Sequence, residues 1–224
     1  RIAAVYETRE KSKLTTEQQR LAWPDHSNFV HAGAKLDPKS KARMMEINGK
    51  LASLFATFNQ DIMADESGYP LIIEKESDLA GLPDSVKASA AAAAEALGKQ
   101  GQWAIVNTRS SMEPFLTYSD KRRLREKVWR TFYNRGNNGD AKDTKALITQ
   151  ILELRAERAQ LLGFKTHAHW RLDQSMAKTP EATLKLMQDV WTPAVARVHE
   201  EVADMQALAD KEGARVTIEG WDYR

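Results

Sequence analysis

The stretch that decides the fold spans residues 37 to 68 and reads DPKSKARMMEINGKLASLFATFNQDIMADESG. Asp37 followed by Pro38 is a strong helix start, because Asp caps the first free N–H groups and Pro fits the first turn. Apolar residues then recur with the spacing of one helix face. They are Met44, Ile47, Leu51, Leu54, Phe55, Phe58 and Ile62. The pattern predicts one long helix that ends near Gly68.

The two phenylalanines of this face give a first expectation for stability. Phe55 and Phe58 both lie on the apolar stripe of the longest predicted helix. If both rings are buried, replacing either by Ala is expected to cost about 3–5 kcal/mol of stability. The expectation therefore depends on how completely the stripe is covered.

A second helix is predicted upstream of this stretch. Thr16 with Gln19 has the spacing of a capping box, and Gly33 is placed to end the helix. Pro24 is expected to kink or split it. Further helices are predicted from Asp84 to Leu97, from Asp120, from Asp143 or Thr144 to Gly163, from Thr166, and from Thr179 to Gly213.

The last of these helices has a long apolar face, and Pro193 within it is expected to introduce a kink. The face comprises Leu184, Met187, Val190, Val195, Val198, Val202, Met205 and Leu208. Beyond it, Trp221 and Asp222 look like the approach to another helix, with Asp222 as its N-cap.

Only two segments have the composition of strands, namely Tyr69 to Glu74 and Gln102 to Thr108. The predicted fold class is therefore mainly α, a multi-helix lobe with at most a few short strands.

Composition excludes several function classes. The 33 Lys and Arg residues nearly balance the 31 Asp and Glu residues, so no general field draws the chain to nucleic acid or to anionic lipid. No apolar run approaches the ~20 residues that span a bilayer. The absence of cysteine excludes disulfides, thiolate zinc sites and a cysteine nucleophile. No nucleic-acid or membrane partner is expected, and the expected compartment is the cytoplasm, with the periplasm as the alternative.

One histidine stands at the beginning of a motif typical of zinc peptidases. His199 and Glu200 could open a His-Glu-x-x-His helix, in which two imidazoles four residues apart bind one metal ion. Ala203 occupies the position of the second histidine. His199 is therefore predicted to be an ordinary surface residue of its helix.

The other four histidines give only weak indications of a metal site. His169 and Asp173 are four residues apart, close to His167, so a weak adventitious site is conceivable. His26 and His31 are five apart and are predicted to point in different directions. No catalytic residue and no metal-binding residue is assigned, and substrate-binding residues stay unknown.

Three charged or glycine-rich motifs are interpreted as surface features. The basic run Lys121, Arg122, Arg123 and Arg125 is predicted to be a solvated helix face rather than a phosphate-binding patch. The segment from Gly136 to Gly139 has neither a Lys-Ser/Thr ending nor a preceding strand, so a turn is predicted. The carboxylate pairs Asp65-Glu66 and Glu200-Glu201 diverge on a helix, and nothing marks either pair as buried.

A series of motifs nevertheless resembles one enzyme family, in the correct order and over essentially the whole chain. The motifs are Leu14-Thr-Thr-Glu-Gln-Gln-Arg-Leu, Phe29-Val-His-Ala-Gly-Ala-Lys-Leu, Lys41-Ala-Arg-Met-Met-Glu-Ile-Asn, Leu51-Ala-Ser-Leu-Phe-Ala-Thr-Phe-Asn-Gln, Leu79-Ala-Gly-Leu, Asn107-Thr, Leu161-Leu-Gly-Phe, Met176-Ala-Lys-Thr-Pro-Glu-Ala and Trp221-Asp. They are similar to consecutive parts of bacterial peptidyl-dipeptidases, which belong to the thimet oligopeptidase-like zinc metallopeptidases.

The resemblance implies a largely helical, two-lobed enzyme with a deep channel that removes dipeptides from the C-termini of oligopeptides. It also implies one zinc ion, bound by a His-Glu-x-x-His helix and a later Glu in the C-terminal half, with the motif Glu activating water. Residues 1–224 are expected to form a single helical portion of the N-terminal half, without the zinc-binding part. This chain alone is therefore expected to bind no zinc and to be inactive, and its expected partners are oligopeptide substrates and the C-terminal catalytic half. The alternative is an independent helical binding module without catalysis.

Overall fold

The computed structural model describes residues 1–224 and is dominated by nine α-helices. They are α1 (Ile2–Thr8), α2 (Thr16–His31), α3 (Pro38–Gly68), α4 (Asp84–Ala96), α5 (Arg109–Tyr118), α6 (Arg122–Tyr133), α7 (Lys145–Leu161), α8 (His167–Leu172) and α9 (Pro180–Lys211). A 3₁₀ turn covers Glu76–Leu79. The mainly α prediction is confirmed.

The two strands lie within the two segments predicted from composition. β1 (Leu71–Ile73) pairs antiparallel with β2 (Trp103–Ile105), with Leu71 opposite Ile105 and Ile73 opposite Trp103. Leu71, Ile73 and Ile105 are buried on one face of the pair, and Ala104 is buried on the other face, so β2 has apolar neighbours on both sides. None of the helices has the length and apolar composition required to cross a membrane.

Helix α3 begins as its sequence predicts. Asp37 Oδ1 accepts the backbone N–H groups of Lys39 at 2.9 Å and Ser40 at 3.1 Å, and the helix ends at Gly68. Such a cap satisfies donors that have no partner inside the helix. Met44, Ile47 and Leu51 are buried, so the first part of the predicted stripe faces a core.

The second half of the α3 stripe is less buried than the expected loss of stability in the two Phe→Ala variants requires. Phe55 and Phe58 are only half-buried. The condition for a loss of about 3–5 kcal/mol is therefore not met, and about 1–2 kcal/mol is expected for either Ala variant because roughly half of the ring surface leaves water.

Helix α2 corrects one detail of the predicted capping. The box is formed by Thr15 and Gln18, one residue earlier than predicted, with Thr15 Oγ1 accepting the Gln18 N–H at 3.2 Å. Thr15 and Thr16 are each followed by Gln three residues later, so the spacing alone did not distinguish the two possible capping boxes. The helix continues through Pro24 without the predicted split. Gly33 follows its end at a φ of +94°, as a glycine stop requires.

Two helices were not predicted. In α5, Met112, Phe115 and Leu116 are buried on one face, and Pro114 interrupts the segment. α1 has only seven residues, which is too short for its apolar residues to show a helical period. Both helices were missed because the periodic pattern was interrupted or absent.

The chain divides into two compact units, of which the first comprises Arg1–Phe55 and Thr149–Met187. Its buried core consists of Ile47, Leu51 and Ile151, with four half-buried neighbours. These neighbours are Leu54, Phe55, Leu154 and Leu161. Arg43 of α3 also binds both carboxylate oxygens of Glu157 in α7, at 2.6 and 2.7 Å, which adds a bidentate ion pair to this packing.

The second unit comprises Ala56–Ile148 and Gln188–Arg224 and holds the larger core. Its buried members come from the sheet, from the turn after β1, from α4 to α6, and from Trp221. They are Leu71, Ile73, Leu79, Leu82, Ala90, Ile105, Met112, Phe115, Leu116, Val128 and Trp221. That residues 1–224 act as one portion of a larger enzyme stays a prediction.

Replacing Ile47 by Ala is expected to lower the free energy of unfolding by about 2–5 kcal/mol, because this fully buried side chain would leave a cavity in the first core. Met45 lies on the same helix but is exposed, so Met45→Ala is the matched control with a change below about 0.5 kcal/mol. Urea denaturation of both variants measures the difference. Equal midpoints would contradict this assignment of the core.

Candidate functional site

Helix α6 places two arginines of the basic run against a single carboxylate near residue 224. Arg122 donates from Nε and Nη2 to Asp222 Oδ2 at 3.0 and 2.8 Å, and Arg125 Nη2 donates to Asp222 Oδ1 at 2.7 Å. The Asp222 side chain is only 7% exposed. We call Arg122, Arg125 and Asp222 the Asp222 clamp. The prediction of a solvated basic face is wrong for these two arginines, because their partner lies far along the sequence.

The Asp222 clamp also fixes backbone on both of its sides. Arg122 Nη2 donates to the Thr217 carbonyl at 2.8 Å, and Arg125 donates to the carbonyls of Trp221 at 3.1 Å and Ser119 at 2.7 Å. Two nitrogens of Arg122 and all three of Arg125 are therefore engaged within the second unit. Such an arrangement positions a chain segment.

Electrostatics keeps the Asp222 carboxyl ionised. Burial alone would raise its pKa, but hydrogen bonds from Arg122 and Arg125 outweigh burial and hold the pKa below its ordinary value. Beside it, the buried Trp221 meets Trp129 edge-on, with 5.7 Å between the ring centroids. The predicted role of Asp222 as an N-cap concerns a following helix and stays a prediction.

Asp65 is a second buried carboxylate, so the interpretation of the Asp65-Glu66 pair as unburied is wrong for Asp65. The Asp65 side chain is almost fully buried, and its Oδ2 accepts the Gly136 N–H at 2.6 Å and Asn138 Nδ2 at 2.9 Å. Glu66 pairs with Arg135 at 2.5 Å. Asp65 was missed because its partners lie in the loop between α6 and α7. The available signal was a glycine-rich turn whose free N–H groups need an acceptor.

The segment from Gly136 to Gly139 is a turn, as predicted, and it is held in place by α3. Gly136 has a φ of +70°, and its carbonyl accepts the N–H and the hydroxyl of Thr144 at 2.8 and 3.0 Å. Lys142 Nζ lies 3.2 Å from Asp61 Oδ1. The charges near this turn are thus engaged within the protein, and the arrangement serves to order the loop.

The predicted pair of His169 and Asp173 does not form. Asp173 Oδ2 lies 2.8 Å from His31 Nε2, whereas His169 Nδ1 lies 2.8 Å from Thr166 Oγ1. Asp173 is the C-cap of α8, and its N–H still donates to the His169 carbonyl, so the pair is absent because the Asp173 carboxylate binds His31 instead. The His31–Asp173 contact joins α2 to the end of α8. His169 is therefore part of a cap rather than a ligand set.

The remaining histidines also have separate surroundings. His26 stacks on Tyr6 with 4.1 Å between centroids, which confirms that it faces away from His31. Burial lowers the pKa of His167, and the positive charges of Arg155, Arg158 and Arg171 lower it further. A neutral His167 is favoured as a result.

His199 is exposed on α9, as predicted. The neighbouring carboxylates of the Glu200-Glu201 pair bind Arg197 at 3.0 and 3.1 Å, and the Tyr223 hydroxyl donates to Glu201. Nowhere does the structure bring three His, Cys, Asp or Glu side chains together in a group that could hold a metal ion. The residues of this chain therefore do not fit a zinc site like that implied by the family, and no catalytic step is derived through one.

A cleft of about 370 Å³ lies beside α4 and α5. Four serines line it, together with apolar residues of α4, α5 and the end of β2. They are Ser85, Ser89, Ser110 and Ser111. No titratable side chain lines the cleft, so none of these hydroxyls has a base that would activate it as a nucleophile.

Helix α9 has no buried residue and presents an apolar face that is largely exposed. Seven residues with helical spacing form it, and we call them the α9 stripe: Leu184, Met187, Trp191, Val195, Val198, Val202 and Met205. Trp191 was absent from the predicted face, although it lies two turns beyond Leu184. Trp191 is 71% exposed and Met187 is 60% exposed. A face of this kind is typical of an interaction surface.

Comparisons with known proteins place the chain in a family context. Residues 115–224 match the model of Peptidase family M3. The resemblance to a peptidase family that the motifs indicated is thereby confirmed.

The similarity to individual relatives extends over the whole chain. The chain is 36% identical over 223 residues to dipeptidyl carboxypeptidase of Escherichia coli, covering 100% of this chain and 33% of that protein. It is 31% identical over 213 residues to oligopeptidase A of Salmonella typhimurium, covering 93% of this chain and 31% of that protein. The chain thus spans about a third of the length of the curated relatives it matches.

Proposed function

We propose that this chain is a structural portion of a zinc metallopeptidase that removes C-terminal dipeptides from oligopeptides. In this proposal it forms part of the wall around the substrate channel, and zinc is bound by residues outside the chain. The observation that carries the proposal is the alignment of the whole chain with about a third of a dipeptidyl carboxypeptidase. A cytoplasmic location, with the periplasm as the alternative, stays a prediction.

The internal contacts support a scaffolding role. The charged groups with the strongest contacts, Asp222 with its two arginines and Arg43 with Glu157, are engaged within the chain. Their geometry holds helices and loops in fixed positions and presents no nucleophile, general base or free ligand set. A wall of a channel needs such rigidity, because substrate-positioning surfaces must keep their geometry.

A second candidate function is an independent helical binding module without catalysis. The exposed α9 stripe favours it, since an unpartnered apolar face is also what a binding module presents. The two candidates differ in what the parent gene encodes. A His-Glu-x-x-His motif downstream of Arg224 supports the peptidase, and a stop codon at this point supports the binding module.

The direct test of the proposed function uses the complete parent protein. We expect it to release a dipeptide from the C-terminus of an N-terminally blocked tripeptide, and we expect a chelator to abolish the release. Adding zinc back after chelation should restore the rate, because a catalytic zinc supplies the activated water. A parent protein whose release rate is insensitive to chelator would contradict the proposal.

A further inference from the structure

Four basic side chains of α7 and α8 lie together in the first compact unit. Arg155 and Arg158 are three residues apart on α7, so they share one helix face. His167 and Arg171 are four apart on α8 and share a face in the same way. Burial lowers the pKa of Arg158, and the positive charges of Arg155 and Arg171 lower it further, so both lie close enough to repel it. We call these four residues the Arg158 cluster.

Aromatic rings hold the three arginines in place. The Cζ atoms of Arg158 and Arg171 lie 4.6 and 5.6 Å from the centroid of the Trp170 ring. Arg155 Cζ lies 5.1 Å from the centroid of the Phe55 ring. Such cation–π contacts fix the position of a guanidinium group but supply no oxygen acceptor for its N–H groups. The N–H groups of the cluster therefore still need acceptors.

The chain supplies few acceptors to these donors. The only side-chain hydrogen bond of the Arg158 cluster runs from Arg158 Nη1 to Asn48 Oδ1, at 3.2 Å. Arg155 Nε, Arg158 Nε and His167 Nδ1 are buried and have no hydrogen-bond partner in the chain. A buried polar atom that stays unpaired costs stability, so these three atoms point to a ligand that can pair with them.

The carboxylates of the surrounding helices do not neutralise the cluster. Arg43 binds both Glu46 of α3 and Glu157 of α7, and Asp173 pairs with a histidine of α2. Glu153 of α7 is exposed and lies on another face of that helix. The cluster therefore combines three guanidinium charges with no negative charge, an arrangement that is unfavourable without a counter-ion.

The cluster can be reached from solvent at Arg171. This residue is exposed, and with Trp170 it lines a cleft of about 420 Å³. Asn28, Gln174 and Ser175 line the same cleft and belong to the same compact unit. Their amide and hydroxyl groups add neutral hydrogen-bond donors beside the positive charges.

The charge and the donor geometry favour a phosphate group as the ligand. Guanidinium groups bind carboxylate and phosphate oxygens through paired N–H donors. A phosphate group carries about 1.5 to 2 negative charges at pH 7, whereas a carboxylate carries one, so phosphate offsets more of the charge of three arginines.

We propose that the Arg158 cluster is a binding site for a phosphate group, which Arg155, Arg158 and Arg171 hold beside Trp170. The shared ligand chemistry is a doubly charged oxyanion, either free phosphate or the phosphate of a small monoester. The inference goes beyond the proposed function and does not depend on it, because every residue that carries it lies in the first unit and none is assigned to peptide hydrolysis.

The test measures binding of inorganic phosphate to the full-length parent protein by isothermal titration calorimetry, in chloride buffer at constant ionic strength. Arg158→Gln and Arg171→Gln each remove one charge of the cluster. Arg20→Gln is the matched control, because Arg20 Cζ lies 4.5 Å from the Trp23 centroid in the same unit but outside the cluster. Circular dichroism checks that each variant is folded. Arg171 is exposed, so its variant is expected to fold even if Arg158→Gln does not.

Phosphate is expected to bind the wild-type protein and the Arg20→Gln control with equal affinity. Each cluster variant is expected to bind it at least about tenfold more weakly, because charge-assisted hydrogen bonds are lost. No binding to the wild-type protein, or the same affinity in Arg171→Gln as in the control, would overturn the inference. Equal weakening in Arg20→Gln would show a general charge effect and would also overturn it.

Two further ligands identify the chemistry of the site. Acetate is expected to bind at least about tenfold more weakly than phosphate, since it carries a single charge, and tighter binding of acetate would contradict the assignment to phosphate. Glycerol phosphate distinguishes the two sources of the ligand. Competition with inorganic phosphate supports a site for monoesters, and binding of inorganic phosphate without competition supports a site for the free ion.

Discussion

Replacing Asp222 by Ala is expected to lower the free energy of unfolding by about 2–4 kcal/mol, somewhat below the loss typical of a fully buried ion pair. The variant would leave Arg122 and Arg125 without the carboxylate that both of them bind. Their side chains are 35% and 18% exposed, so water compensates for part of the loss. Urea denaturation followed by circular dichroism measures the effect.

The matched control is Glu126→Ala, which removes the partner of Arg130 on the same helix. That ion pair is exposed at the surface, so a change of about 0–1 kcal/mol is expected. Losses of equal size in the two variants would show that the Asp222 clamp has no special role.

The Asp222 effect should also depend on pH. The folded-state pKa of Asp222 lies below its ordinary value, so its stabilising contribution is complete above the unfolded pKa of about 3.9 and is lost as the pH falls through the folded pKa. The difference between the wild-type chain and Asp222→Ala should therefore be constant near neutral pH and shrink in acid. A difference that grows in acid would contradict this assignment.

Replacing Gly81 by Ala is expected to cost about 2–5 kcal/mol, the sum of about 1–2 for the left-handed backbone and about 1–3 for steric overlap. Gly81 has a φ of +85°, and a Cβ at this position would overlap the carbonyl oxygen of Tyr118 and meet the Asp120 carboxylate at 2.8 Å. The Tyr118 oxygen belongs to the backbone and cannot swing aside.

Gly98→Ala is the control for the conformational part of this loss. Gly98 has a φ of +71°, and a Cβ added there would meet nothing within 4 Å. Its expected loss is therefore the strain of about 1–2 kcal/mol alone. Thermal or urea denaturation compares the two variants, and an Ala at position 81 that costs no more than one at position 98 would contradict the described packing.

Local signals predicted most of the fold. The predicted starts at Asp37-Pro38, Thr166 and Thr179-Pro180 all correspond to observed helix N-termini. The stripe of α3 lies on one continuous helix, as predicted. Each of these signals involves residues that are close together in the sequence, so it can be recognised without knowledge of the tertiary structure. The two strands were identified for the same reason, since each is a short apolar run bounded by polar or turn residues.

Long-range pairing accounts for most of what was missed. The burial of Asp65 depends on a turn about 70 residues away, and the Asp222 clamp joins residues about 100 apart. Helix periodicity contains no information about such partners. The absence of a cover on α9 was equally invisible, because an apolar stripe has the same pattern whether it faces a core or an interface.

The functional site could be predicted from the sequence less well than the fold. Sequence motifs indicated a resemblance to a peptidase family, and the comparisons confirmed it. That no catalytic residue lies within the chain stays a prediction. The structure adds a physical account of what these residues do instead, namely to order loops and to hold Asp222 and Trp221 against α6. The sequence predicted the apolar face of α9, and the structure adds that most of its residues are exposed.

The most direct test of the central claim measures zinc and activity side by side in the 224-residue chain and in its full-length parent. After dialysis, elemental analysis should find about one zinc per parent molecule and none in the chain, because a catalytic zinc needs three protein ligands that this chain does not assemble. Release of a dipeptide from a blocked tripeptide should follow the zinc. Stoichiometric zinc and chelator-sensitive release by the chain alone would contradict the account.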